Sequence, residues 1–131
     1  MQFSENKLVL DGGREITFNY AVWEIVDFDS VAVVLLKTLA KTGPLPGVNA
    51  DVNATKGQNV FGISKADGEV LWQIMEIWVS PPPPGESKEM PYVGLRRGTD
   101  GTVSATTWSG VSVYLDPLTG KEVRARGGSG R

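Results

Sequence analysis

The sequence predicts an all-β fold, an antiparallel meander forming a small barrel or a bent sandwich of about nine or ten strands. Three observations carry this. From Asn59 to Trp78, two runs rich in β-branched and aromatic residues flank Asp67-Gly68, which supplies the positive φ that a tight hairpin needs. Short alternating runs separated by Gly-bearing turns then recur through the second half of the chain. Finally, Val31 to Leu36 is apolar at every position and reads as a central strand covered on both faces.

In order, Lys7 to Leu10 and Arg14 to Tyr20 form a first hairpin across Asp11-Gly12-Gly13. If the second strand continues unbroken, Ile16, Phe18, Tyr20, Val22, Glu24, Val26 and Phe28 share one face, which places a carboxylate in an apolar row. For residues 30–41 a short helix capped by Ser30 is the alternative to a strand, but the β-branched start of that stretch favours the strand. Thr42 to Gln58 is a long aperiodic loop, either a solvated connector or a binding lid.

Glu69 to Val79 reads as a long strand with Val70, Trp72, Ile74, Glu76 and Trp78 on one side. Ser80 to Gly85, with four consecutive prolines, is an extended connector, since proline has no amide hydrogen to give a sheet. Tyr92 to Arg96, Thr102 to Trp108 and Val111 to Asp116 make a meander, followed by a Pro117 to Gly120 turn and a last strand from Lys121 to Ala125. Residues 1–126 therefore read as one β domain, and Gly127 to Arg131 as a flexible, linker-like tail.

Composition narrows the function classes. Thirteen Lys and Arg against fifteen Asp and Glu leave a formal charge of −2, which gives nucleic acid or an anionic membrane no electrostatic footprint. The chain has no cysteine and no histidine, which removes disulfides, thiolate or imidazole metal sites, and Ser-His or Cys-His catalysis. No cofactor or metal is expected. No apolar run is long enough to span a bilayer, and the N-terminal residues lack a signal-peptide pattern, so a cytoplasmic protein is expected. Asn53-Ala54-Thr55 matches the glycosylation acceptor pattern and is discounted on the same ground.

Two segments, Val60 to Trp72 and Val113 to Val123, share an aromatic strand, an Asp-containing turn that ends in Gly, and a return strand. Both resemble the outer strand-turn-strand of quinoprotein-type β-propeller repeats, where an Asp, a Thr-Gly-Lys turn and a following Trp recur, and Tyr92 to Leu95 with Asp100 to Val103 is similar to the inner strands. The second copy carries Arg124 where the first has Trp72. Two blades do not close a propeller, which takes at least about four. The resemblance implies either local hairpin chemistry or a sheet shared between two chains, and no quinone-binding residue is carried over.

Two sets of residues are candidates for function. Glu24 and Glu76 each interrupt an apolar strand face; facing one interior, they would form a carboxylate pair for acid-base chemistry or glycoside hydrolysis, unless a β-bulge turns them to solvent or an Arg neutralises them. In the meander, Val93, Leu95, Val103, Ala105, Val111, Val113 and Leu115 form an aliphatic face, leaving Tyr92, Arg96, Ser104, Thr106, Trp108, Ser112 and Tyr114 on the other. That half-polar, half-aromatic face suits a planar ligand, a sugar or a protein partner. The sequence thus predicts a non-enzymatic ligand- or protein-binding module using Tyr92, Arg96, Trp108 and Tyr114, or the loop from Thr42 to Gln58, as its contact surface. The alternatives are a small carboxylate-dependent hydrolase and an antitoxin- or immunity-type partner protein. A homodimer is expected to bury the surplus apolar strand surface.

Overall fold

Six consecutive apolar residues, Val31 to Leu36, face both sides of whatever sheet holds them, so both sides need cover. The computed structural model, which describes residues 1–38, 54–75 and 90–128, supplies that cover from two further sheets. The strands are β1 (Gln2–Ser4), β2 (Lys7–Val9), β3 (Glu15–Thr17), β4 (Val22–Asp27), β5 (Val31–Leu36), β6 (Val60–Ser64), β7 (Val70–Gln73), β8 (Tyr92–Arg97), β9 (Val103–Thr107), β10 (Val111–Leu115) and β11 (Gly127–Gly128). They form three antiparallel sheets ordered β1-β2-β3, β4-β5-β6-β7 and β11-β10-β9-β8. The result is a bent, sandwich-like all-β fold with no closed barrel and no helix among the described residues. Residues 31–36 are strand, and the helix considered for 30–41 is excluded over that stretch.

The central sheet separates two cores. On one side Ala32, Val34 and Leu36 meet Leu8, Leu10, Ile16 and Phe18 of the N-terminal sheet, together with Phe61 and Ile63. On the other, Val31, Val33 and Leu35 meet Val103, Ala105, Val113 and Leu115 of the C-terminal sheet, together with Val60, Trp72 and Ile74. All six β5 residues are buried. The apolar surface of β5, one of the two stretches behind the homodimer expectation beside Leu71 to Val79, is thus covered from within the chain.

Three irregularities reset side-chain alternation. The long strand expected from Arg14 to Phe28 breaks between β3 and β4, whose two pieces join different sheets. Within β4 the register shifts between Val22 and Glu24, so Val22 packs in the first core while Val26 and Phe28 pack against the second. A second shift, opposite Gly62 and Ile63, separates Val70 from Trp72; Val70 packs against the first core and Trp72 lies in the second, where alternation had placed both on one face. The third lies between Tyr92 and Gly94 in β8. The strand expected to run from Glu69 to Val79 is assigned only as Val70–Gln73; Ile74 and Met75 are outside it, and Glu76 to Val79, like the proline run, lies outside the described residues. Of the expected last strand, Glu122 makes one bridge to Leu115, and Gly127 and Gly128, read as part of a flexible tail, pair with Ser112 and Val111.

Trp72 and Asn59 make two of the contacts that hold the central and C-terminal sheets together. The Trp72 indole donates to the Pro117 carbonyl at 2.7 Å. It lies so close to Gly62 and Gly120 that a Cβ on either would sit 2.2 or 2.5 Å from the ring, so the close packing of the indole requires both glycines. The second contact is Asn59, wholly buried. Its side chain donates to the carbonyls of Leu36 and Tyr92, both at 2.8 Å, and accepts from the Tyr92 amide at 3.1 Å. One side chain thereby satisfies backbone groups of β5 and β8 across the core. Asn59→Ala leaves those three groups unpaired, and urea denaturation is expected to show a loss of at least about 1–3 kcal/mol of unfolding free energy; an unchanged midpoint and slope would contradict this role.

Candidate functional site

The C-terminal sheet buries Val103, Ala105, Val113 and Leu115 in the second core, so the intervening residues of β9 and β10 face outward. That outer face carries an open groove of about 440 Å³ lined by Glu24, Gly94, Leu95, Arg96, Ser104, Thr106, Ser112 and Tyr114. A second hollow of about 170 Å³ shares Arg96, Ser104 and Tyr114 with it and continues over Gly98, Thr99, Asp100, Thr102 and Arg124. The five outward residues read from alternation, Arg96, Ser104, Thr106, Ser112 and Tyr114, are brought together as expected.

Two residues expected on that face are elsewhere. Tyr92 is buried in the second core, because the extra residue Val93 between Tyr92 and Gly94 reverses alternation at the start of β8. Its hydroxyl donates to the Met75 carbonyl at 2.9 Å, and burial pushes the phenol well above its ordinary pKa. Tyr92 is therefore a packing residue and is withdrawn as a ligand contact. Trp108 is 66% exposed in the turn after β9 and does not line the groove.

Glu24 arrives at the groove by a route that alternation did not show. Past the β4 irregularity its exposed carboxylate reaches the free edge of β8, where Oε1 accepts the Leu95 amide at 2.8 Å. Its neighbours complete the seam: Arg97 donates to the Asp27 carbonyl and stacks over Phe28 at 4.4 Å. Glu24 thus occupies an edge-strand amide that would otherwise be open to another chain. Glu76, its expected catalytic partner, lies outside the described residues.

Charge in the groove is arranged asymmetrically. Arg96 is exposed and makes no ion pair with any described residue, whereas Arg124 pairs with Asp100 and lies 4.8 Å over the Tyr114 ring. The Thr106 and Ser112 hydroxyls bond each other at 2.8 Å, leaving Ser104 with a long 3.5 Å contact to the Arg96 carbonyl. Among the described residues no cluster of acidic side chains could hold a metal ion. A hydrogen bond from the Thr102 hydroxyl, helped by the Thr102 amide and then Arg124, holds Asp100 below its ordinary carboxylate pKa.

A family model described as a domain of unknown function (DUF7957) matches residues 1–126. No curated protein and no solved structure matches the chain.

The Asp100 geometry makes a pH prediction. A carboxyl whose folded value lies below the ordinary 3.8 stabilises the fold above that value, and the contribution is lost as pH falls through the folded value. NMR titration should give Asp100 a midpoint below 3.8, moved upward in Thr102→Val. A midpoint at or above 3.8 would contradict the hydrogen-bonded arrangement.

Proposed function

Because the chain belongs to the DUF7957 family, whose description carries no activity, we propose a function from the groove itself: this is a non-enzymatic binding module whose contact surface is the outer face of the C-terminal sheet. One observation carries the reading. A guanidinium with no ion pair among the described residues, a hydroxyl row, a tyrosine ring and a tethered carboxylate converge on one open hollow whose volume falls within the roughly 300–1,000 Å³ range of small-molecule sites.

Most of the lining comes from outward residues of strands whose inward residues hold the sheets together, and Leu95 alone of the lining residues also packs against the second core. Arg96 supplies directional donors, while Tyr114, braced by Arg124, offers a fixed partly apolar surface.

A thermal-shift screen against saccharides, nucleotides, amino acids and short peptides tests the reading, since a ligand that prefers the folded state raises its melting point. At least one class should raise Tm, and Tyr114→Ala should abolish that rise while leaving the ligand-free melting curve cooperative. A screen in which no class stabilises the protein, repeated by NMR without shifts at groove amides, would overturn it.

A further inference from the structure

Several glycines have a reason internal to the fold. Gly68, Gly101, Gly110 and Gly120 occupy the positive-φ region, and Gly62 is needed for contact with Trp72. Gly94 has neither reason. It lies inside strand β8, its φ is outside the left-handed region, and a Cβ built on it meets nothing within 4 Å. Gly94 does border the register shift that Val93 introduces, and bulges favour glycine, but neither its φ nor its surroundings require one there. Glycine inside a strand weakens it, and apart from bulges it marks places where a ligand or another backbone comes close; with no Cβ, Gly94 leaves the backbone open on the groove side. Gly94 lines the groove between Glu24 and Arg96.

We propose that the groove binds an anionic carbohydrate laid across the Gly94 backbone, an inference that rests on reading this face as a binding site. The chemistry on either side of the notch sets the class. Arg96 has no ion pair among the described residues and presents a guanidinium suited to a carboxylate or phosphate oxyanion. Glu24 has one oxygen held by the Leu95 amide, which positions the other to accept from a ligand hydroxyl. Ser104 and the Thr106–Ser112 pair add hydroxyls that both donate and accept, matching a polyhydroxylated ring. With Arg124 already over one face of Tyr114, directional hydrogen bonding dominates over stacking.

The test is amide NMR titration of the full chain with glucuronate, glucose 6-phosphate and glucose. Glucuronate, glucose 6-phosphate or both should shift the amides of Gly94, Leu95 and Ser104, with glucose at least about tenfold weaker, as expected for a charge-assisted bond; which anion acts identifies carboxylate or phosphate as the source. Gly94→Val should abolish the shifts without lowering Tm, and Gly94→Ala should weaken them. Arg96→Ala should bring the anionic sugar down to the level of glucose. Equal binding of glucose and the anionic sugars, unaltered by Arg96→Ala, would overturn the anionic assignment while leaving a binding module in place. Absence of groove shifts with all three sugars, or full binding by Gly94→Val, would overturn the inference; failure of the entire thermal-shift screen would overturn the broader reading as well.

Discussion

Strand β5 has no solvent face, and the rest of the molecule is arranged around that constraint. Its residues alternate between two cores, and every one of the six is buried. A sheet containing such a strand needs cover on both sides, and in this chain the cover comes from the three N-terminal strands on one side and the C-terminal meander on the other. Buried apolar area supplies the driving force, but positioning comes from polar groups: Asn59 and Trp72 each bond to backbone beyond their own strand, and those bonds set where the C-terminal sheet sits.

The outer face of that sheet is what remains once the inner face is committed. Because β8 lies at the end of its sheet, one row of its backbone groups would be unpaired; Glu24 of β4 accepts the Leu95 amide there, while the Asp27 carbonyl takes the Arg97 side chain. Sealing this edge also brings a carboxylate beside Arg96 and the hydroxyls of β9 and β10. The same contact therefore closes a vulnerable strand edge and furnishes one wall of the groove.

Much of this was legible in the sequence. Val31 to Leu36 announced a doubly covered strand, the Asp67-Gly68 turn announced the β6–β7 hairpin, and the alternation from Val103 to Leu115 separated core from groove. What failed was continuity of alternation. Each register shift, near Trp23, Leu71 and Val93, adds one residue and exchanges the faces on either side of it; Gly62 and Gly94 stand at two of them, but a strand glycine does not say where the extra residue falls, and no glycine marks the first. Tyr92 changes face for that reason, and Glu24, which the sequence leaves between an interior row and a bulge that turns it to solvent, takes the bulged, exposed course to a sheet edge. Asn59 was invisible because its role depends on Tyr92, which is 33 positions away in the chain.

The central claim is that consecutive β5 residues support separate cores. Leu35 faces the C-terminal sheet and Leu36 the N-terminal one, each fully buried. Equilibrium denaturation of Leu35→Ala and Leu36→Ala measures this directly: each variant should lose about 2–5 kcal/mol, the usual cost of truncating a buried leucine. If one of the two were nearly neutral, one face of β5 would be open to solvent, and the three-sheet account would be wrong.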